Sequence, residues 1–267
     1  RTSPFAFTGN KFEFRAVGSS ANCSNAMMVL NTIMANQLRK FKKEVDSLID
    51  KGTKKDEAIL KVLRQYIVDS KNIRFEGNGY SDEWVKEAKR RGLSNITTTP
   101  PALDAYVSKS SMKLFEEMSI FNHREVEARH EIMLETYIKK IQIESRVMGD
   151  LAINHIIPAA IHYQTTLAKN VEGLKSIGMK PDTMTTQIGM IIEISEHLGM
   201  IKTNVDKMID ARKKANKIED IREKAIAYCD EVKSYFDTIR YHVDKLEIMV
   251  DDELWPLAKY RELVMIR

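Results

Sequence analysis

Cysteine is scarce in this chain: there are two in 267 residues, Cys23 and Cys229. Two thiols build no disulfide framework, so a reducing cytoplasmic compartment is expected, with both side chains packing as small apolar groups in helical patterns. Long apolar runs are missing as well. No stretch approaches the roughly 20 residues that span a bilayer, and no secretory leader is visible. Nor is there a block of one charge sign. The 42 basic and 38 acidic residues leave a formal charge of +4, dispersed along helical faces, which implies neither nucleic-acid nor membrane binding.

Metal motifs are also lacking. There is no His-Glu-x-x-His, and no pair of Glu-x-x-His motifs of the di-iron kind. His123 and His130 are seven residues apart, as are His155 and His162. Each pair shares a helix face two turns apart, too far for one ion without ligands from elsewhere, so solvated or hydrogen-bonded histidines are expected. The run Glu76-Gly-Asn-Gly79 lacks the spacing of a phosphate-binding loop and reads as a turn.

What is present is helical patterning. A hydrophobic content of 43% fills the core of one large or two ordinary domains. Ser24 is placed to cap a helix with Met27, Ile33, Leu38, Val45 and Ile49 on its apolar stripe, which Gly52 stops. Thr53, Asp56 and Glu57 open a second, with Ile59, Val62, Leu63, Ile67 and Val68 inward. Ser81 caps a short helix that Gly92 closes, and Pro100-Pro101 form a connector.

Three long segments follow, broadly residues 122–176, with a bend at Pro158, then 182–216 and 218–253. In the third, Ile218, Ala225, Val232, Ile239 and Leu246 recur every seven residues, offset by Ile221, Tyr228, Tyr235, His242 and Met249. Nine of these ten are hydrophobic, which makes a heptad seam with His242 as a hydrogen-bonded core member. The second carries Met184, Ile191, Leu198 and Val205 with Ile194, Ile201 and Met208 to the same rule. The first has its own stripe at Leu134, Ile138, Ile141, Met148 and Ala152. An antiparallel bundle closed within one chain, with Asn216-Lys217 as a tight corner, is the economical arrangement.

The first fifteen residues are different. From Lys11 to Arg15 charged and aromatic residues alternate, so in a strand Lys11, Glu13 and Arg15 share one side and Phe12 and Phe14 the other. Phe5 and Phe7 form a second short run, and Thr8-Gly9-Asn10 between them has turn chemistry, so a β-hairpin is expected. An ionic face of this kind either carries surface ion pairs or holds a charged ligand. Chemistry alone leaves both open. The chain begins at Arg1 rather than Met, with no strands upstream of the hairpin, and a fragment of a longer protein is expected.

The order Arg1-Thr2-Ser3, a spacer, then Lys11-Phe12-Glu13-Phe14-Arg15 resembles the late catalytic-barrel signature of glutamine synthetases. The wording from Ser3 to Arg15 resembles the type III group, and the resemblance continues through Gly77–Trp84, Arg91-Gly92-Leu93 and Leu254–Leu263. Most glutamine synthetases follow the last Arg with Pro-Asp and then Asn-Pro-Tyr; here residues 16–25 depart from that, again in favour of type III.

The resemblance implies an ATP-dependent ligase forming glutamine from glutamate and ammonia through glutamyl phosphate, with Mg²⁺ or Mn²⁺. It implies that Arg1 contacts nucleotide phosphate, Lys11 lies near ATP, Glu13 ligates the divalent cation, and Arg15 holds glutamate or its phosphorylated form as a catalytic residue. It implies a homo-oligomer of stacked hexameric rings. Residues 1–76 are then the end of the catalytic domain and 77–267 a type III specific helical domain. The expected fold is mainly α, a short hairpin from the catalytic barrel followed by a long antiparallel bundle. A non-catalytic helical scaffold or oligomerisation module is the alternative.

Overall fold

A computed structural model describes residues 5–14, 22–75, 77–79 and 81–264. The chain is mainly helical and divides into two compact units, residues 1–97 with 105–128, and residues 98–104 with 129–267. This division does not fall at the expected boundary between residues 76 and 77.

The first unit opens with the hairpin, strand β1 (Phe5–Phe7) pairing antiparallel with β2 (Phe12–Phe14) in the register Phe5↔Phe14, Ala6↔Glu13, Phe7↔Phe12. Gly9 takes φ +99° at its tip, and the Thr8 amide donates to the Lys11 carbonyl at 2.9 Å. Helices α1 (Ser24–Asp50) and α2 (Lys55–Asp69) follow. Gly52, at φ +92°, lets its own amide and that of Thr53 return to Ile49 and Leu48, which satisfies the last carbonyls of α1. Cys23, not Ser24, occupies the N-cap, and it is exposed rather than packed. The Asn22 side chain accepts the Ser24 amide at 2.8 Å instead.

α1 and α2 clasp each other through Val45, Ala58 and Val62, flanked by Phe41, Ile49 and Tyr66. The inward set is narrower than the sequence stripe: Ile33, Leu38, Leu63, Ile67 and Val68 are exposed in this chain. Helix α3 (Asp82–Arg90) begins as expected, its Trp84 amide donating to Ser81 Oγ, and Gly92 closes it at φ +78°.

In the second unit the two prolines do not act as a linker. They occupy the first turn of helix α4 (Thr99–Leu103), where a missing N–H costs nothing. Helix α5 (Lys109–Glu117) belongs to the first unit. Helix α6 (His123–Asp150) starts with a reciprocal cap, Glu125 accepting the Asn122 amide at 2.8 Å and Asn122 accepting the Glu125 amide at 3.0 Å.

A π-helical turn at Leu151–Ile156 joins α6 to α7 (Ile157–Ser176). It relieves the helix where Pro158 can neither donate nor fit against the preceding turn. Helix α8 (Thr185–Asn216) returns antiparallel and is the axis of this unit, burying Ile194, Ile201, Val205, Met208 and Ala215. The third segment is helix α9 (Ile221–Ala227), a π-turn at Tyr228–Val232, a tight 3₁₀ turn at Lys233–Tyr235, then α10 (Phe236–Met249).

The three heptad stripes meet in one core within the chain. Leu134, Ile138, Ile141, Ala152, Ile194, Ile201, Val205, Tyr228, Val232, Ile239 and Leu246 form a single buried cluster. Each such side chain contributes about 1.5–3 kcal/mol by leaving water. The one large polar group among them is satisfied: the Tyr228 hydroxyl donates to Asn216 Oδ1 at 2.6 Å, and Gln142 Nε2 reaches the same oxygen at 3.4 Å. The last long helix ends at Met249, before Trp255. Trp255 instead folds back into the core, with Lys259 Nζ 5.9 Å over its ring and bonded to the Glu247 carbonyl at 2.7 Å. A final short helix α11 (Tyr260–Val264) follows. Among the described residues no helix is long and apolar enough to cross a membrane.

Candidate functional site

The ionic face of the hairpin is built by backbone alternation. Lys11 leads into β2 and Glu13 lies at its centre, and their side chains meet at 3.5 Å, Lys11 Nζ to Glu13 Oε1. Their side chains are 67% and 35% exposed, so solvent screens the pair to well under ~1 kcal/mol and it does not stabilise the strand appreciably. Phe14 is half-buried on the other side of the strand. Arg1 and Arg15, the two arginines expected on this site, lie outside the described residues.

A divalent cation such as Mg²⁺ wants six oxygens, with one or two protein carboxylates among them. Glu13 fits as one such ligand. Among the described residues no group of three or more His, Cys, Asp or Glu converges as a metal site.

The histidines lie apart from one another and from any converging metal site among the described residues, His197 and His242 excepted as a pair. His155 and His162 are exposed, and His123 lies 3.3 Å from Glu116. His130 Nε2 sits 3.5 Å from Asp104, whose carboxylate is gripped by Arg222 through Nε at 3.0 Å and Nη2 at 2.7 Å. That guanidinium, more than the neighbouring imidazole, holds the Asp104 carboxyl below its ordinary range. The three side chains tie the end of α4 to α6 and α9, a structural knot with no nucleophile.

His242 is hydrogen-bonded in the seam, as expected, but its partner escaped the sequence reading. His197 of α8 faces it with 2.8 Å between the Nδ1 atoms. Spacing cannot pair residues 45 apart on different helices, and the only signal is that both fall near facing seams. Glu193 Oε1 approaches the far nitrogen of His197 at 3.9 Å, and the Tyr241 ring meets His242 edge-on at 5.1 Å. An N–H···N bond between two imidazoles needs one acceptor nitrogen, so the doubly protonated pair is repelled.

Burial first, and His197 second, push the His242 pKa below 6.5. A depressed histidine contributes stability that is complete above the unfolded value near 6.5 and is lost as pH falls below it. The thermal midpoint of the chain is therefore expected to drop between pH 7.5 and pH 5.5, and to drop less in His242→Phe. Equal drops would assign the effect to the other histidines.

Comparison with known proteins now bears on this geometry. Residues 58–175 match the family described as the glutamine synthetase C-terminal domain. A glutamine synthetase of Bacteroides fragilis is 50% identical over 270 residues, covering 100% of this chain and 37% of that relative. A type-3 glutamine synthetase of Dictyostelium discoideum is 34% identical with the same coverage. One of Butyrivibrio fibrisolvens is 31% identical over 269 residues, 99% of this chain and 37% of the relative.

This mainly helical chain with an ionic hairpin at one end is similar along its whole length to these glutamine synthetases, and residues 58–175 carry the match to the C-terminal domain of that family. The matched family describes a C-terminal domain, and one of the relatives is a type-3 enzyme. The chain spans 37% of the length of the curated relatives it matches.

Proposed function

We propose that this chain is the C-terminal part of an ATP-dependent ligase that joins glutamate and ammonia into glutamine through glutamyl phosphate. The observation that carries the reading is similarity over the entire chain to three glutamine synthetases, up to 50% identical. The hairpin supports it, because it sets Lys11 and Glu13 side by side on one face.

The chemistry gives that face its task. A γ-carboxylate is a poor electrophile until phosphorylated, and the phosphoryl group in flight spreads charge over its oxygens, so the site must supply positive charge in fixed positions. In this reading Arg1 and Lys11 bind the nucleotide phosphates, Arg15 orients the glutamate, and Glu13 holds the metal. The metal, Mg²⁺ or Mn²⁺, supplies Lewis-acid neutralisation of the phosphates when bound. Residues 1–76 are the end of the catalytic domain and 77–267 a type III specific domain. The apolar residues that α1 and α2 leave exposed, Leu38, Leu63, Ile67 and Val68 among them, are where the remainder of the catalytic domain packs. Stacked hexameric rings in the cytoplasm complete the reading.

A scaffold module is the second reading, and one observation favours it: the helical unit closes its own core within the chain and could brace an assembly without taking part in chemistry.

The test is direct. The full-length protein is expected to form glutamine from glutamate, ammonia, ATP and Mg²⁺, whereas residues 1–267 alone are expected to form none, because a reaction site needs ligands converging from several elements. Turnover by the isolated chain, or its absence from the full-length protein, would overturn the assignment.

A further inference from the structure

Where α2 runs out, the segment Ser70–Phe75 turns back beside α3 and encloses an open cleft of about 950 Å³. Among the described residues, Lys71, Arg74, Arg90 and Arg91 line it against one carboxylate, Glu87. Four cations against one carboxylate make a local positive excess in a chain whose charges otherwise nearly balance, at +4 overall.

The carboxylate pins the arginines and leaves the cationic surplus. Glu87 accepts Arg90 Nε and Nη2, each at 2.7 Å, and Arg91 Nε at 2.5 Å. Arg91 Nη1 also donates to the Arg74 carbonyl at 2.8 Å, so its guanidinium is held on two sides. Arg74 itself is steadied by the Ile67 carbonyl at 2.8 Å.

The wall behind them is stiff. Phe75 stacks on Trp84 with ring centres 3.8 Å apart, and the Arg91 guanidinium sits 5.4 Å over the Trp84 ring. The Phe75 ring occupies space that Gly77 leaves open: at φ +143°, a Cβ on residue 77 would come within 2.9 Å of it. Four cations crowded against one anion repel one another, and the guanidinium N–H groups not already given to Glu87 or to backbone carbonyls are donors that suit phosphate oxygens. Fixing them in advance lowers the ordering cost of capture.

We propose that this cleft binds a multiply charged phosphate anion, received by Arg90 and Arg91 and neutralised by Lys71 and Arg74. An opening of about 950 Å³ admits a diphosphate or a larger phosphate chain. The inference rests on the cleft alone and stands or falls separately from the ligase reading.

The experiment is calorimetric titration of the full-length protein with inorganic pyrophosphate at low salt, in the parent and in Lys71→Ala/Arg90→Ala. Both side chains are exposed, Arg90 at 75%, so the double variant is expected to keep the parental unfolding midpoint. The expected result is a class of sites weakened at least tenfold in the double variant and retained in Glu13→Ala, with affinity falling steeply as salt rises. Inorganic phosphate should bind the same sites more weakly. An isotherm identical in parent and double variant would overturn the proposal. So would tighter binding of a tetraglutamate peptide than of pyrophosphate, because the cleft would then be a docking site for an acidic segment of protein.

Discussion

Ile239→Asp is expected to unfold the helical unit or bring it close to unfolding. Ile239 is 1% exposed at the centre of the cluster formed by the three long helices. The substitution forfeits about 1.5–3 kcal/mol of apolar burial and forces a carboxylate into a buried apolar cluster. A total loss of about 4–5 kcal/mol is comparable to the whole stability of many domains. For a unit of this size it corresponds to a midpoint lowered by roughly 10–20 °C. Circular dichroism on the monomeric species reads it. A variant that stays fully helical with an unchanged midpoint, and merely fails to assemble, would place the seam between subunits and contradict the intrachain core.

Glu13→Ala in the full-length protein has the opposite profile, a large effect on chemistry with little on folding. The side chain is 35% exposed and its ion pair with Lys11 is screened, so removal changes stability by less than about 1 kcal/mol. If Glu13 holds the catalytic metal, the phosphoryl oxygens lose a fixed counter-charge, and turnover is expected to fall by on the order of 10²–10³ or more. The magnesium concentration needed for half-maximal activity should rise in parallel. Unchanged turnover at limiting magnesium would remove Glu13 from the metal.

Much of the helical architecture was legible because burial leaves a periodic trace. The seven-residue recurrences on residues 182–216 and 218–253 coincide with the buried residues Ile194, Ile201, Val205, Ala225, Val232, Ile239 and Leu246. The caps at Ser81, Gly52 and Gly92 were legible for a local reason: the residue that satisfies an orphan backbone group is a near neighbour of it.

What stayed hidden was non-local or ambiguous. Pro100 and Pro101 forbid helix behind them but are welcome at its start, and composition does not say which side is helical. The break at Gly77 looked like a boundary, yet Arg91 reaches back across it to the Arg74 carbonyl and keeps both sides in one compact unit. The same blindness to distance hid His197 beside His242 and the convergence of Lys71 with Arg90. Of the hairpin site, the alternation of Lys11 and Glu13 was legible in advance, whereas their chemical roles came from resemblance and await the substitution described above.

The paired distortions in the third helical segment bear on how such a chain can change length. The wide turn at Tyr228–Val232 is followed at once by the tight turn at Lys233–Tyr235, and rotation withheld in one is made up in the other, so that Ala225 and Ile239 share a face. Deleting one residue from the tight turn, where no surplus residue absorbs the loss, would turn everything after it by about 100°, carrying Ile239 and Leu246 out of the core and exposed residues such as Ile248 toward it. Insertions and deletions among descendants of this sequence should therefore collect in the corners at residues 177–184 and 217–220, and be purged from 228–235. A segment that looks irregular is thus among the least free to drift in length.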